Sequence, residues 1–310
     1  MIKKILKKII DTKTFCIDYF IVQQLFKEVN WIFKLIRYKR QYVKDPEVLL
    51  SQLRTSAHII DKGLQAEDWE QGRSIVFYKK LCELILQLQG SIVSNDPSYQ
   101  WALQKKIEYE KAQEAGYTGY PTIKNTRVKV SKDDLLELIK GRRSVRSFID
   151  RSIGEDVLRE LADVVSWSPT SCNRQPAKLF LTQNPDKVAI CLNQCAGATC
   201  FSKTNFNKAR PCFISVCADA RLYMIQDRYL PLIDVSLGLQ NMLLLAYSQG
   251  IEGTILNWMH HTAKEDSILR KTLNIPGYYL IAFNVLIGYS DKAVPVPKRK
   301  SRDLAYEIVL

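Results

Sequence analysis

Ser166-Trp167-Ser168-Pro169-Thr170-Ser171-Cys172-Asn173-Arg174-Gln175-Pro176 stands between a run with helical apolar periodicity and a run that reads as a strand. Its density of hydroxyls and amides can present donors and acceptors to a flat polar heterocycle, although Ser, Asn and Pro are also ordinary turn residues. Upstream, just after another helical run, stands Gly141-Arg142-Arg143-Ser144-Val145-Arg146-Ser147-Phe148. Its guanidinium and hydroxyl groups suit a phosphate or another anion, because arginine offers bidentate donors. A solvated arginine-rich turn would have the same composition.

The elements around these two loops set the fold class. Ser131 with Asp134 has the form of a capping box opening a helix through Lys140. Ser152 with Glu155 has the same form, opening a helix through Trp167 whose apolar face is Val157, Leu158, Leu161, Val164 and Val165. Lys178–Thr182, Cys212–Ala218 and Tyr279–Gly288 are predicted strands. Tyr229–Gln249, apolar almost all round, is a predicted buried central helix. Strands alternating with helices predict an α+β domain over residues 131–310. Residues 116–130, beginning Gly116-Tyr-Thr-Gly-Tyr-Pro121, read as a linker. Residues 1–115 are predicted to be an all-helical extension, with Asp45-Pro46 and Asp96-Pro97 starting two of its helices.

Taken in order, Arg-Arg-Ser-x-Arg-x-Phe over 142–148 and Ser-Pro-x-Ser-x-Asn-x-Gln-Pro over 168–176 resemble the nitroreductase family of FMN-dependent oxidoreductases. Asp234-Val-Ser-Leu-Gly-Leu-Gln-Asn-Met-Leu-Leu-Leu-Ala246 is similar to that family's central dimer helix. Ile251 to Trp258 is similar to the segment beside its flavin, and Asn274-Ile-Pro276 with Leu286-Ile-Gly288-Tyr to its last helix end and last strand. The resemblance implies a mixed sheet flanked by helices over 131–310. It implies FMN contacts from Arg142, Arg143, Ser144 and Arg146, with Lys300 and Arg302 at the phosphate. Pro169, Thr170, Ser171, Asn173 and Gln175 would form the loop reaching the flavin of a partner subunit. Ser202 and Asn205 fall where the family places an Asn and a Lys, and Leu256 and Asn257 where a backbone N–H faces the flavin. Arg146 would stabilise negative charge on the reduced ring, and the cofactor supplies the rest.

The implied activity passes electrons from NADH or NADPH to a small, planar, electron-poor acceptor, nitro- or quinone-like, by a ping-pong scheme. The implied assembly is a homodimer with FMN at the subunit interface. Ala177 stands where the family often has Trp, Asn205 replaces a cation, and Asn257 replaces an acidic or small residue. These departures touch the substrate and pyridine-nucleotide use more than the fold. Flavin breakdown, a biosynthetic dehydrogenation, or a non-enzymatic binding protein with a relict flavin site are the alternatives.

Composition sets the outer limits. The chain has 310 residues, 46% of them hydrophobic, enough for a real core and too many for disorder throughout. Of the net charge of +13, residues 1–44 carry +8, residues 45–130 none and residues 131–310 +5. A nucleic-acid binder usually concentrates charge on its reading domain, so no nucleic-acid partner is expected. There is no Gly-x-Gly-x-x-Gly and no Walker loop. Three histidines, two of them the adjacent His260-His261, and Cys191, Cys195 and Cys200 without Cys-x-x-Cys spacing argue against a metal site. Eight cysteines without a regular framework read as reduced thiols of a cytoplasmic protein. No run reads as approaching the length of about eighteen uncharged apolar residues that a membrane span needs, and no cleavage site follows Thr14 to Phe26.

Two features belong to the amino-terminal region alone. Ile2, Ile5, Leu6, Ile9 and Ile10 form one helix face and Lys3, Lys4, Lys7 and Lys8 the other. Such a segment either lies on an anionic membrane surface, giving a peripheral contact through residues 1–44, or packs its apolar stripe on the chain. His58-Ile-Ile-Asp61-Lys62-Gly63-Leu64 resembles a pattern in helical extensions of nitroreductase-like proteins linked to polysaccharide gene clusters. His58, Asp61 and Lys62 would share a helix face. Equally, Gly63 would be a helix cap beside a surface ion pair.

Overall fold

The structure, a computed structural model, describes residues 12–115, 129–258, 261–301 and 305–309. The Met1–Ile10 segment, residues 116–128 of the linker, His260 and Arg302 lie outside the described residues. Residues 12–115 with 172–174 and 220–228 form one unit, and 129–171 with 175–219 and 229 onward form a second.

The first unit contains α1 (Thr12–Gln41), α2 (Pro46–Leu64), α3 (Ile75–Leu88) and α4 (Pro97–Ala115). Proline opens α2, and the Asp45 carboxylate caps it by accepting from the N–H groups of Glu47 at 3.0 Å and Val48 at 3.4 Å. Leu50, Leu53, Ala57, Ile60 and Leu64 alternate spacings of three and four along α2, giving one apolar seam. They pack with Leu81, Leu84 and Leu88 of α3 and with Tyr99, Ala102 and Tyr109 of α4. Lys105 enters this seam, buried, and is neutralised by Asp61 at 2.8 Å and Glu108 at 2.7 Å. Of the three residues expected on one face of α2, Asp61 is therefore drawn inward to Lys105. Gly63 does not end the helix. α2 runs on through Leu64, and a Cβ at Gly63 would stand 2.6 Å from Ser74 Oγ, so the glycine serves a close approach. Segment 220–228 joins this unit through Arg221, buried and paired with Asp45 at 3.0 Å and Glu47 at 2.9 Å.

The second unit contains, in chain order, α5 (Lys132–Gly141), α6 (Glu155–Asp163), β1 (Ala177–Thr182), α7 (Pro185–Leu192), β2 (Cys212–Asp219), α8 (Leu230–Ser248), β3 (Glu252–Leu256), α9 (Ala263–Leu273) and β4 (Tyr279–Gly288). It is an α+β fold. Ser131 caps α5 as expected, accepting from the Asp134 N–H at 3.1 Å. The second predicted cap does not form: the side chain of Gln183 binds the N–H and the carbonyl of Ile153, each at 2.9 Å, and fixes this stretch outside the helix. Gly154 then precedes α6 without a side-chain cap, and a 3-10 turn over Val164–Trp167 ends it. α9 is bounded by a capping box of Thr262 and Glu265 and by Asn274, whose φ of 56° stops the helix before Pro276.

The strands lie in the order β1-β2-β4-β3, each neighbouring pair antiparallel. Parallel pairing is confined, among the described residues, to a bridge between Ser144 and Gly253 of β3. β2 is buried along its whole length. Cys212, Ile214, Val216 and Ala218 face the layer of α6 and α8, and Phe213 and Cys217 face that of α7 and α9. Opposite Val216 and Cys217, β4 carries one extra residue, Ala282, so its alternation changes phase there. β3, five residues with Gly253 inside, has no strand signal of its own in the sequence.

α8 is, by length and composition alone, apolar enough to cross a membrane, with a mean hydropathy of 1.4 over eighteen residues. Asp234 lies within it, so it is not an uncharged apolar run. In the fold, Val235, Leu239, Met242, Leu243 and Ala246 of α8 supply the core beneath the sheet. Tyr229, Ile233 and Leu237 lie along an exposed arc.

Candidate functional site

The arginine segment is tied to the sheet. Val145 donates its N–H to the Gly253 carbonyl at 3.1 Å, beside the Ser144–Gly253 bridge. Val145 and Phe148 are buried and anchor the segment from below. Between them Arg146 is exposed, while Arg142 and Arg143 are half-buried and Ser144 is exposed. The Arg143 guanidinium donates to the carbonyls of Arg142, at 2.7 Å, and Lys140. Arg146 donates to the Ser144 carbonyl at 3.4 Å.

Glu252 opens β3 next to this cationic run. Burial pushes its carboxyl above the usual carboxylate range, against the opposing pull of Arg142 and then Arg143. Its Oε2 is buried and makes no hydrogen bond. Sequence reasoning passed over Glu252 as a site residue, because its proximity to the arginines exists only once Gly253 is paired with Ser144.

At the other end of β3, Leu256 is buried opposite Asn284, and Asn257 forms an antiparallel bridge with Ala196. The pairing leads the chain past the 3-10 turn Ala198–Phe201 to Ser202 and Asn205, both exposed. The Asn205 side chain accepts from the Asn207 N–H at 3.0 Å, within its own turn.

The loop after α6 is moored to α8. Asp234, 4% exposed, accepts from the N–H and hydroxyl of Ser171, and Thr170 Oγ1 accepts from the Gln175 N–H at 3.2 Å. Pro169 precedes these anchors. Cys172, Asn173 and Gln175 hold φ values of 53°, 54° and 51°. Asparagine tolerates this left-handed region, whereas cysteine and glutamine each cost roughly 1–2 kcal/mol there. Residues 172–174, and so Asn173, count with the helical unit. Asp234, too, was missed as an anchor, since the sequence presents it only as the start of an apolar helix.

The structure thus brings the Arg142–Arg146 segment, β3 and Asn257 to one sheet edge. Lys300 is exposed in the irregular stretch after β4, and Arg302 lies outside the described residues. Two cavities, of about 460 and 220 Å³, lie in the helical unit, and neither is lined by a residue of the site set. Burial raises the thiols of Cys191, Cys195, Cys212 and Cys217 to about 12, which disqualifies them as nucleophiles. Among the described residues, no group of three His, Cys, Asp or Glu side chains is placed to hold a metal.

Residues 139–289, from the end of α5 to just past β4, match the model of the Nitroreductase family. A relative from Methanothermobacter thermautotrophicus, named for NADH dehydrogenase/NAD(P)H nitroreductase activity, is 31% identical over 180 residues, which cover 57% of this chain and 85% of the relative. The chain belongs to the nitroreductase family. A second relative of the same name, from Archaeoglobus fulgidus, is 26% identical over 158 residues, covering 51% of this nitroreductase-family chain and 86% of its own. Among solved structures, a Desulfovibrio desulfuricans nitroreductase in complex with FMN is 18% identical with a TM-score of 0.49, covering 58% of this chain and 99% of its own. A nitroreductase-like family protein from Bacillus cereus is 24% identical with a TM-score of 0.45, covering 60% and 99%. The family match lies in the second unit, together with residues 172–174 and 220–228 of the first, and leaves α1 to α4 outside it.

Proposed function

We propose that this chain is an FMN-dependent oxidoreductase that passes electrons from NADH or NADPH to a small planar acceptor of nitro or quinone type. The observation that carries this reading is the Val145–Gly253 tie, which sets Arg142, Arg143, Ser144 and Arg146 beside the strand leading to Asn257. The donor set fits FMN: guanidinium groups suit its phosphate, and hydroxyl and amide groups suit its heterocyclic edge. When bound, FMN supplies reversible hydride acceptance, the chemistry that joins two substrates using one pocket in turn.

The chain's own residues do the rest. Arg142 binds the phosphate together with Lys300 and Arg302, and Arg143 and Ser144 continue the donor row. Arg146 contributes a fixed positive charge that favours negative charge developing near it. The Leu256–Asn257 segment would present a backbone N–H to the flavin ring, with Ser202 and Asn205 on the neighbouring stretch. Glu252 offsets part of the positive charge of Arg142 and Arg143 beside it.

The exposed arc of Tyr229, Ile233 and Leu237 supports a homodimer through α8. The loop carrying Pro169, Thr170, Ser171, Asn173 and Gln175 would then complete the site of the partner subunit. A cytoplasmic location and a division into a helical extension, a linker and a flavin domain accompany this reading. Initial rates with NADH and a nitroaromatic or quinone test it. Parallel double-reciprocal lines support the scheme, and intersecting lines reject it.

A further inference from the structure

Val22, Leu25, Phe26, Val29, Ile32 and Phe33 of α1 are exposed at 48, 58, 69, 48, 39 and 68%. On a helical wheel they fall, with Ile36, within one arc of about 120°. One flank of this arc faces protein: Leu35 is buried there, and Glu28 meets Arg228 at 2.7 Å. α1 is therefore seated by one side and presents a continuous apolar ridge on the other. An apolar patch of this extent marks an interaction surface.

Charge identifies what the ridge meets. Lys34, Arg37 and Arg40 are exposed around its carboxyl-terminal end. Arg37 and Arg40, with Phe33, Ile36 and Gln41, line one shallow, open surface depression, so two guanidinium groups stand beside an exposed aromatic ring. Residues 1–44 carry a net +8. A second copy of the chain fits this surface poorly. Val22, Leu25, Val29, Ile32 and Ile36 do alternate three and four, as in a coiled-coil seam. Their flanks, however, are Phe26, Phe33 and Arg40 on one side and Glu28, Leu35 and Tyr42 on the other, so one flank has no acid to answer a cation and the other is turned to its own unit.

We infer that the exposed face of α1 docks on an anionic lipid surface. Phe26 and Phe33 enter the boundary between headgroups and acyl chains, and Arg37 and Arg40 bind lipid phosphates. This inference stands apart from the flavin chemistry.

Flotation of the full chain tests it, with vesicles of phosphatidylcholine plus phosphatidylglycerol against phosphatidylcholine alone, at low and high salt. Binding is expected to anionic vesicles only and to weaken with salt. Phe26→Ser with Phe33→Ser should reduce it about tenfold or more, since two aromatic rings no longer leave water. Arg37→Gln with Arg40→Gln should weaken it and flatten the salt dependence. All four positions are exposed, so circular dichroism and thermal melting should match the wild type. Equal binding to neutral vesicles, no binding, or unchanged binding by both variants would overturn the inference. So would self-association abolished by the serine variant in a chain that ignores vesicles, which would assign the ridge to a second copy.

Discussion

Asp234 holds Ser171 from across the fold: each carboxylate oxygen accepts the Ser171 N–H at 3.1 Å, and one also accepts its hydroxyl at 3.0 Å. A buried carboxylate is thereby satisfied, and the loop is fixed just before it enters left-handed backbone. Asp234→Ala should destabilise the protein by about 1–3 kcal/mol, because the Ser171 donors lose their acceptor. FMN affinity should fall with it. Urea unfolding and flavin titration of the variant check both effects, and Asp234→Asn should be intermediate.

Cys172 holds a φ of 53° without the ease of glycine or asparagine. Cys172→Gly should relieve that conformation and raise stability by up to about 1 kcal/mol, less what glycine gains in unfolded-chain entropy. Thermal melting measures this. A lowered melting temperature would mean that the cysteine side chain contributes packing that outweighs the strain.

Glu252 gives a pH signature. Its folded-state pKa is raised, first by burial, with Arg142 and Arg143 opposing. A raised group contributes stability that is fully present below its unfolded value and is lost as pH rises through the folded one. Glu252→Gln should therefore remove a decline in stability on the alkaline side of the ordinary carboxylate range. Urea unfolding across a pH series would show this as a flatter profile than the wild type.

The shared-site proposal has a geometric test. Arg142→Ala and Asn173→Ala, co-expressed and purified as mixed dimers, place both lesions in one site and neither in the other if subunits share sites. Half the sites should then bind FMN with normal affinity. With each site inside one chain, every site carries a lesion and no tight class appears in the titration.

Much of the fold could be read from apolar periodicity. Tyr279–Gly288 is a strand over its predicted range, and the central helix is shorter than predicted by one residue at each end. β4 makes its own signal because most of its side chains are buried on both faces, and α8 because its apolar residues are continuous, although only one side of it is covered in the fold. The failures have distant causes. The Ser152–Glu155 cap is displaced by Gln183, thirty residues on, and β3 becomes a strand through pairing with β4 rather than through its own residues. At the site, the two motifs were legible through their resemblance to a family. Asp234 and Glu252 were not, because each matters through a partner that only the folded chain supplies. The exposed ridge of α1 was read as helical without its outward direction, because an apolar stripe says nothing of which side is covered.

The central claim is that the arginine segment tied to β3 belongs to a flavin site. The most direct measurement is an FMN titration of the purified 310-residue chain, followed by flavin absorption and fluorescence. The account predicts a yellow protein that releases FMN on heating, rebinds it stoichiometrically, and loses affinity by about tenfold or more with Arg142→Ala, as loss of a charge-assisted phosphate contact implies. A colourless protein that fails to bind added FMN, or an Arg142→Ala variant that binds it as tightly as the wild type, would contradict the account.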